Sequence, residues 1–420
     1  MRRAFNAAKQ IYHFVLAGLG AIIYGHPSRK LFVIGVTGTK GKSTTIELIN
    51  AALEAAGWRT ALSSSVRIKI ADDSRVNDSG NTMPGRFFLQ SFLHKAAKAG
   101  CRYALVEVTS EGARQYRHRF IDFDAAVFTN LHPEHIESHG SFEKYREAKL
   151  NFFRDVAKFS RKSPKYFFVN GEDESAKYFI AAVGGKAISY FKRDVASYEL
   201  SPALLGDFNR GNVAAAEAVL KTAEISETVR RNAFKTFLGV PGRLEFVVSK
   251  PYAVVVDYAH TPESLKTVYE TLRSELKPHK LICVLGAAGG GRDKWKRPKF
   301  GEIASQYCNK IILTNEDPFD ENPSQILSQI KSGISNFSAK GGSLPAGGRG
   351  ASGGQFPISN VYEIMDRWQA IKKAISLVEN GDAVIITGKG SEPYIRVARG
   401  KRVPWSDRKV VEEVLADRKL

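Results

Sequence analysis

The sequence predicts an α/β protein of two domains, each built on a mostly parallel sheet that is covered by helices. Its 420 residues are too many for one ordinary hydrophobic core, and 43% of them are hydrophobic, as in globular proteins. Short apolar runs alternate with helix-like segments from residue 31 to residue 240, and the alternation restarts after Pro241-Gly242. This alternation is typical of parallel sheets with helices on both faces.

The predicted organisation has three parts. Residues 1–30 are expected to form an N-terminal apolar helix or extension, residues 31–240 a central domain and residues 241–420 a C-terminal domain. Within the last part, residues 338–355 are rich in Gly, Ser and Ala and are expected to form a flexible surface insertion. The apolar runs predict strands at 31–36, 103–108, 125–128, 166–169, 253–257, 281–285, 310–314 and 383–387.

The stretch from Leu31 to Asn50 gives the first indication of function. Its apolar run leads into a segment with helical periodicity through the loop Gly38-Thr39-Lys40-Gly41-Lys42-Ser43-Thr44. A strand–loop–helix of this kind binds phosphates, because its glycines let backbone N–H groups surround the phosphate oxygens. Lys42 is expected to reach the outer phosphates and Ser43 to bind Mg²⁺. The alternative is an ordinary glycine-rich connection between a strand and a helix.

Charge and cysteine content narrow the possible partners. A formal charge of +19 at pH 7 suits an anionic partner. No dense Lys/Arg tract interleaved with aromatic residues occurs, so we expect no nucleic acid. The three cysteines, Cys101, Cys283 and Cys308, are widely spaced, which argues against a disulfide framework or a CxxC metal site and favours a cytoplasmic location.

Residues 11–25 are apolar and follow the basic residues Arg2, Arg3 and Lys9. The segment is shorter than the roughly 20 residues of a membrane span, and it lacks the cleavage site of a signal peptide. Two alternatives stay open: a helix that packs on the domain or on a partner, and a basic peripheral contact with the inner membrane face.

Two charged residues occupy positions that are expected to be apolar. Glu107 ends a buried-type strand at the edge where nucleotide-binding sheets meet phosphates, so it is either a Mg²⁺ ligand or a surface carboxylate. Lys149 lies in the apolar stripe of a helix predicted over residues 142–156. Either its side chain extends to solvent, or burial favours the neutral amine, which reacts with CO₂ to give a carbamate able to hold Mg²⁺.

A histidine-rich loop follows the strand at 125–128. It contains His132, His135 and His139 within residues 129–140. A zinc site there would lack cysteine partners and a recognised spacing, and solvated loop histidines are the alternative.

An ordered series of motifs resembles the Mur ligase family. Besides the phosphate loop, it comprises Glu107-Val-Thr-Ser110, Thr129-Asn-Leu-x-x-Glu-His135, Ser138-His-Gly140, Tyr145-x-x-Ala-Lys149, Gly206-x-Phe-Asn-x-x-Asn212, Pro241-Gly-Arg-Leu-Glu245, Asp257-Tyr-Ala-His-Thr-Pro262, Gly291-Arg-Asp-Lys-x-Lys-Arg-Pro298 and Gly388-Lys-Gly-x-Glu392. The chain is most similar to the tripeptide synthetases of that family. The resemblance implies an α/β fold with a central domain like that of P-loop ATPases and a Rossmann-like C-terminal domain.

The resemblance also implies a role for each matching residue. The implied ATP-binding positions are Gly38, Thr39, Lys40, Gly41, Lys42, Ser43, Thr44, Asn209, Asn212, Arg243 and Asp257. The implied catalytic residues are Lys42, His135, Lys149 and Arg243, and the implied metal ligands are Ser43, Glu107, His135 and Lys149. The implied substrate-binding positions are Thr82, Pro84, Thr109, Ser110, Arg117, His260, Arg292, Asp317, Gly388 and Glu392. For Asn209 and Asn212, capping of a helix that begins near Gly211 is the structural alternative.

The implied activity is ATP-dependent amide-bond formation. ATP phosphorylates a carboxylate, and an amine then displaces phosphate from the acyl phosphate. The family implies two Mg²⁺ ions, a carbamylated Lys149, and addition of an amino acid to a UDP-MurNAc-peptide-like cell-wall precursor. The expected partners are these small molecules, and the chain is expected to be a monomer or a weak oligomer. The alternatives are a ligase like folylpolyglutamate synthase and a non-catalytic nucleotide-binding protein at the membrane surface.

Three features depart from the family pattern. Only residues 1–30 precede the phosphate-loop strand, so the family's N-terminal UDP-binding domain is expected to be missing. Glu316-Asp-Pro-Phe319 replaces the family's Asp-Asn-Pro-Arg, which removes an arginine that would pair with a distal carboxylate. Ser391 stands where the tripeptide synthetases have histidine. The identity of the added amino acid is therefore not predicted.

Overall fold

The computed structural model describes residues 2–85, 87–133, 139–291, 293–339 and 360–417. The predicted site residues His135 and Arg292 lie outside these ranges, as does most of the predicted insertion at 338–355. The chain divides into two compact units, Met1–Leu238 and Gly239–Leu420.

The first unit alternates strands and helices along the chain. Its described strands are β1 Phe32–Thr37, β2 Thr60–Ser63, β3 Arg67–Ile70, β4 Asp73–Val76, β5 Tyr103–Glu107, β6 Ala125–Phe128, β7 Tyr166–Asn170 and β8 Ile188–Tyr190. Its described helices are α1 Arg2–Ile23, α2 Lys42–Ala55, α3 Phe88–Lys98, α4 Ser110–Arg114, α5 Phe142–Phe159, α6 Ala176–Ala182, α7 Asp207–Thr222 and α8 Glu227–Lys235.

These strands form one sheet in the order β4-β3-β2-β5-β1-β6-β7-β8. The neighbouring strands β2, β5, β1, β6, β7 and β8 pair in parallel. At one edge, β3 pairs antiparallel with both β2 and β4. Phosphate-loop strand β1 is central, between β5 and β6, and its residues from Val33 to Thr37 are fully buried. Because helices cover both faces, the central strands consist almost entirely of apolar residues.

The second unit contains a six-stranded sheet in the order β13-β12-β11-β14-β10-β9 and a hairpin, β15-β16. Its described strands are β9 Glu245–Val248, β10 Ala253–Val256, β11 Leu281–Leu285, β12 Lys310–Leu313, β13 Val361–Glu363, β14 Ala383–Ile386, β15 Tyr394–Arg396 and β16 Arg402–Pro404. Its described helices are α9 Pro262–Thr271, α10 Lys296–Tyr307, α11 Pro323–Ala339, α12 Arg367–Ser376 and α13 Asp407–Asp417, and a π-helical turn at Leu272–Leu276 extends α9. Only the β9-β10 pair in the larger sheet is antiparallel.

The predicted fold class is confirmed. Each of the eight strands predicted from an apolar run is present, with both ends within one residue of the expected positions. The predicted helix over 142–156 is α5, and its stripe residues Tyr145, Lys149, Phe152 and Val156 are buried. The strands that apolar runs did not reveal include β3 and the edge strand β4, and every residue of β4 is exposed.

Cys283 on β11 and Cys308 after α10 form a disulfide, with their Cα atoms 6.0 Å apart, whereas Cys101 is free and buried. The cysteine spacing did not reveal this pairing, because 25 residues and a helix separate the two positions along the chain. The fold brings them together, since a parallel strand and its crossover helix pack side by side.

Candidate active site

The carboxyl ends of three neighbouring strands bring the first group of predicted site residues together. In the sheet register, Val36 of β1 is opposite Glu107 of β5, and Thr37 is opposite Phe128 of β6. The phosphate loop leaves β1 at Gly38, so Glu107 lies on one side of it and Thr129 on the other. A crevice at this edge of a parallel sheet is the usual place for a ligand in open α/β folds.

Two glycines shape the phosphate loop. Gly38 has φ +152°, and a Cβ there would lie 1.9 Å from Oγ1 of Thr129. Gly41 has φ +81°, and a Cβ there would lie 2.1 Å from Oδ1 of Asn212. Only glycine fits both the backbone conformation and these close approaches. The loop can therefore keep its N–H groups near a phosphate only while positions 38 and 41 lack side chains.

Lys42, Ser43 and Glu107 meet at the start of α2. Ser43 Oγ donates to Glu107 Oε2 at 3.0 Å, and Lys42 Nζ lies 3.7 Å from Glu107 Oε1. Ser65, which the sequence did not single out, also holds this carboxylate through its backbone N–H at 2.8 Å. Glu107 is only 3% exposed, so the alternative of a surface carboxylate is wrong.

Hydrogen bonds across the loop fix its shape. The backbone N–H of Lys40 donates to Asn130 Oδ1 at 2.8 Å, and Asn130 Nδ2 donates back to the Lys40 carbonyl at 3.1 Å. Thr39 Oγ1 is 3.1 Å from the hydroxyl oxygen of Tyr145. Thr44 continues the first turn of α2 and is partly buried. Asn130 and Tyr145 belong to the motifs but had no assigned role. The sequence could have indicated one, because each lies in a motif that contains an implied metal ligand.

Lys149 extends from α5 to the phosphate loop. Its Nζ donates to the carbonyl oxygen of Gly38 at 2.7 Å and lies 4.8 Å from the centre of the Tyr145 ring. The residue is 2% exposed, so the alternative of a lysine that extends to solvent is wrong. A cation buried this deeply needs hydrogen-bond partners, and the loop carbonyl is one of them.

Asn209 and Asn212 lie on α7, which packs against α2. Asn212 Nδ2 donates to Asn209 Oδ1 at 3.0 Å, and Asn209 Nδ2 donates to the Leu205 carbonyl at 2.8 Å. The helix begins at Asp207 after the cap residue Gly206, so the alternative of caps for a helix near Gly211 is wrong. Asn212 instead borders the phosphate loop at Gly41.

The implied acceptor-binding residues form a second group in the same unit. Thr109 caps α4 by accepting from the Gly112 N–H at 3.0 Å, and Ser110 Oγ is 3.1 Å from His139 Nε2. Arg117 Nη1 donates to the Met83 carbonyl, which places it against the segment that contains Thr82 and Pro84. Burial lowers the pKa of the Arg117 guanidinium, and burial, followed by the charge of Arg114, lowers the pKa of His139.

The residues around the phosphate loop fit one Mg²⁺ ion. Ser43 and Glu107 offer a hydroxyl and a carboxylate oxygen beside each other, and Mg²⁺ prefers such ligands. As an ammonium, Lys149 has only N–H donors and no lone pair, so in that form it cannot ligate a cation. Among the residues that the structure describes, no group of three or more His, Cys, Asp or Glu side chains could hold a metal ion, so the described histidines do not support the zinc alternative.

In the second unit, Arg243, Asp257 and His260 lie together at the end of β10. Both carboxylate oxygens of Asp257 accept backbone N–H groups at 2.7 Å, one from Leu244 and one from Ala259. The Arg243 guanidinium stacks 4.3 Å from the centre of the Tyr258 ring, and His260 Nδ1 is 2.8 Å from the Tyr258 carbonyl. Asp257 therefore joins the backbone at Leu244 to the backbone at Ala259, and Arg243 lies next to both segments.

The second group of predicted residues in this unit surrounds a lysine that the sequence did not single out. Lys389 is fully buried, and its Nζ donates to Asp317 Oδ1 and to Glu392 Oε2, each at 2.7 Å. Gly388 has φ +104°, and a Cβ there would lie 2.3 Å from Glu316 Oε2. Asp317, Gly388 and Glu392, all predicted as substrate-binding, are thus assembled around one ammonium group.

Glu316 and Phe319 mark where this group departs from the family pattern. Burial, more than any nearby charge, raises the pKa of Glu316 to about 7. Phe319 has φ +52°, and the Arg396 guanidinium lies 5.7 Å from the centre of its ring. An arginine from β15 therefore borders the position where the family has its own arginine.

The segment around Arg292 is described only in part, since Arg292 lies outside the described residues. The nearby Arg297 is 1% exposed and donates to Glu321, Gln329 and the Ala288 carbonyl. Arg297 therefore joins α10 to the loop before α11 and to α11 itself.

Comparisons with known proteins identify the family of the chain. The family model of the Mur ligase middle domain matches residues 36–198, and that of the Mur ligase glutamate ligase domain matches residues 242–390. The chain is 34% identical over 413 residues to the UDP-N-acetylmuramoyl-L-alanyl-D-glutamate--2,6-diaminopimelate ligase of Aquifex aeolicus, covering 93% of this chain and 79% of that protein. It is also 34% identical over 435 residues to the UDP-N-acetylmuramyl-tripeptide synthetase of a Roseiflexus species, covering 96% and 82%.

Among solved structures, the chain is similar to folylpolyglutamate synthase of Mycobacterium tuberculosis. The TM-score is 0.68 at 17% identity, over 91% of this chain and 96% of that one. At this identity the likeness concerns the fold.

Proposed function

Because this chain belongs to the Mur ligase family, as its ordered motifs predict, we propose that it uses ATP to join an amino acid to a UDP-MurNAc-peptide-like cell-wall precursor. The reaction forms an amide bond through an acyl phosphate. A carboxylate of the precursor attacks the terminal phosphate of ATP and ADP leaves. The amino group of the amino acid then attacks the acyl carbon, loses a proton and expels phosphate.

The phosphate loop supports the first step. Its backbone N–H groups and the positive end of α2 would hold the phosphates of ATP, while Lys42 would approach the transferred group. Phosphoryl transfer depends mainly on positioning and on neutralisation of charge. The loop N–H groups would provide the positioning and Lys42 the positive charge. The contact between Ser43 and Glu107 at 3.0 Å carries the proposal, because it sets a hydroxyl and a carboxylate oxygen, the types of ligand that Mg²⁺ prefers, beside the phosphate loop.

We assign Ser43 and Glu107 to one Mg²⁺ ion and Lys149, as a carbamate, to a second, together with His135. Bound Mg²⁺ would neutralise charge on the transferred phosphate. Lys149 would first lose a proton, and the neutral amine would then add CO₂ and lose a second proton to give a carbamate with two oxygen atoms able to bind a cation. The Nζ atom would keep one N–H, which could still donate to the Gly38 carbonyl.

We assign the binding of the added amino acid to the second unit. Lys389, held by Asp317 and Glu392, is the buried cation of that group, and Arg396 lies beside Phe319. An amino acid carries an ammonium and a carboxylate, and carboxylates and cations that lie side by side can pair with both. Arg243 and Asp257 are assigned to ATP, and His260 and Gly388 to the amino acid.

The test is a reaction with the full chain, ATP, Mg²⁺, UDP-MurNAc-dipeptide and a panel of amino acids. We expect ADP and a new amide, detected by mass spectrometry, with at least one amino acid. Lys42→Met should lower kcat/KM by about a thousandfold or more, because a charge that neutralises the transferred phosphate is lost. Lys95→Met, on an exposed position of α3, is the matched control and should leave the rate unchanged.

A second arm replaces the precursor with a folate and supplies glutamate. If an amide forms on the folate and none forms on the cell-wall precursor, the chain is a ligase of the folylpolyglutamate synthase type. An absence of ADP release with both acceptors across the whole panel would overturn the assignment of a ligase activity.

A further inference from the structure

Helix α1, Arg2–Ile23, presents two different faces. Its inner face packs on the first unit through small residues: Ala17 and Ala21 are buried, and a Cβ on Gly20 would lie 2.9 Å from the ring of Phe87. The helix end is also tied to α3, since the Tyr24 carbonyl lies 3.3 Å from Nδ1 of His94. The helix is therefore part of the folded unit, which was one of the two sequence alternatives.

The opposite face is apolar and exposed. Ile11, Val15 and Leu19 follow one another at four-residue spacing, and Ile22 and Ile23 continue the same side of the helix. Ile11 is 64% exposed, and Ile22 and Ile23 are each 67% exposed. We call these five residues the outer face of α1. A row of large aliphatic side chains in water is unfavourable, and such patches usually mark a surface that meets a partner.

The segment around this face is strongly basic. Residues 1–30 contain Arg2, Arg3, Lys9, Arg29 and Lys30 and no acidic residue, and the first carboxylate in the sequence is Glu47. Arg29 and Lys30, in the turn after the helix, are exposed, and Arg29 Nε is paired with Asp122 at 3.2 Å. The sequence therefore places basic residues before and after the apolar outer face of α1.

Aromatic side chains extend this surface beside α1. The ring of Phe14, on the helix, lies 5.0 Å from that of Phe120, and Phe120 and Phe159 are 37% and 48% exposed. The Arg119 guanidinium lies 3.8 Å from the ring centre of Phe159 but is paired with Asp155 at 2.9 Å, so these rings add apolar area and not charge.

We propose that the outer face of α1 binds the surface of an anionic lipid bilayer. An interfacial helix places its apolar side among the acyl chains while its basic residues contact acidic headgroups. Within the residues described, no helix is both apolar and long enough to traverse a bilayer, so the proposed contact is peripheral. A second copy of the chain is a poorer occupant, because it would bring five more positive charges against the five of residues 1–30. The proposal concerns where the enzyme acts and is independent of its reaction.

The test is co-sedimentation of the full chain with vesicles. We expect binding to vesicles of phosphatidylcholine with about a third phosphatidylglycerol, and much weaker binding to phosphatidylcholine alone. The triple variant Val15→Glu, Leu19→Glu, Ile22→Glu should lose at least about tenfold in vesicle affinity, because apolar burial is lost. A second variant, Arg2→Gln, Arg3→Gln, Lys9→Gln, should lose roughly a hundredfold at low salt and become less sensitive to added salt.

A matched control places the same three charges on exposed aliphatic residues elsewhere. Val76→Glu, Ile188→Glu, Val403→Glu should bind vesicles like the unmodified chain. Circular dichroism and the ligase assay verify that each variant is folded. Equal vesicle binding by the α1 variant and the control would overturn the proposal. The proposal would also be overturned if the unmodified chain does not bind vesicles but forms a dimer in sedimentation experiments, and if the α1 variant abolishes that dimer.

Discussion

Nζ of Lys149 lies 2.7 Å from the carbonyl oxygen of Gly38, so a buried lysine on α5 is bonded directly to the first glycine of the phosphate loop. Lys149, which the sequence places in the apolar stripe of a helix, therefore lies beside the phosphate loop. A change of its charge or length would alter this hydrogen bond to the loop, and substitution of Lys149 tests whether catalysis depends on it.

The substitution Lys149→Ala is expected to lower kcat about a thousandfold or more, because a ligand of the proposed second Mg²⁺ is lost. A short carboxylic acid such as acetate should restore part of the rate, since it supplies the anion that the carbamate would provide. The measurement is ADP release with and without the added acid.

Lys144→Ala, on the exposed side of the same helix, is the control for Lys149 and should keep full activity. A Lys149→Ala enzyme with an unchanged rate would remove this residue from the mechanism. A slow enzyme that no carboxylic acid rescues would contradict the carbamate while leaving a role for the amine.

Gly41→Ala is expected to lower kcat/KM for ATP at least about a hundredfold, because the new methyl group would displace the loop from Asn212. Gly57→Ala separates the steric effect from backbone strain. Gly57 has a similar φ of +84°, but no atom lies within 4 Å of its would-be Cβ. That control should cost about 1 kcal/mol of stability and leave ATP kinetics intact. Similar kinetic losses in both variants would show that strain alone, and not the contact with Asn212, accounts for the effect.

Lys389→Met should destabilise the second unit by roughly 2–4 kcal/mol, because Asp317 and Glu392 would lose the buried cation between them. Urea unfolding followed by circular dichroism measures the change. Lys409→Met, on an exposed position of α13, should change stability by no more than about 0.5 kcal/mol. Equal midpoints for both variants would mean that the two carboxylates are satisfied without Lys389.

Glu316 predicts a dependence of stability on pH. Its pKa is raised from 4.5 to about 7 in the folded chain, so the folded state holds a proton that the unfolded state releases. The free energy of unfolding should therefore fall as the pH rises from 4.5 through 7, by about 3 kcal/mol from this group. Glu316→Gln, which cannot ionise, should remove that part of the slope.

The comparison for Glu316 is the difference in unfolding free energy between pH 5 and pH 8, measured with urea. Glu263→Gln, at an exposed position of α9, should keep the slope of the unmodified chain. If Glu316→Gln also keeps it, the carboxyl group is not protonated in the folded state at pH 5.

The extent to which the sequence predicted the site differs between residues. Lys42, Ser43 and Glu107 followed from local patterns, because a strand end and a helix start are recognisable in a few residues. Ser65, Asn130 and Tyr145 did not, because their role depends on which strands and helices become neighbours. Asn209 and Asn212 show the same limit: the helix begins four residues earlier than expected, so neither residue caps it, and Asn212 lies beside the phosphate loop at Gly41 while Asn209 holds Asn212.

The second unit shows why a motif does not reveal its own electrostatics. Gly388-Lys-Gly-x-Glu392 was recognised as a motif, yet its lysine received no role until the structure placed it between Asp317 and Glu392. The disulfide between Cys283 and Cys308 and the two faces of α1 were equally out of reach, because each depends on packing between segments that are distant along the chain.

The sequence by itself determined the family, the alternation of strands and helices, the phosphate loop and the class of reaction. These properties depend on patterns of a few residues, which backbone geometry and side-chain periodicity make visible without a fold. Only the tertiary structure decided that Lys149 is hydrogen-bonded to the Gly38 carbonyl. It also decided that Asn212 leaves room for nothing larger than glycine at position 41, and that α1 exposes an apolar face. Burial and contact are properties of the packed chain, and residues far apart in sequence acquire them together.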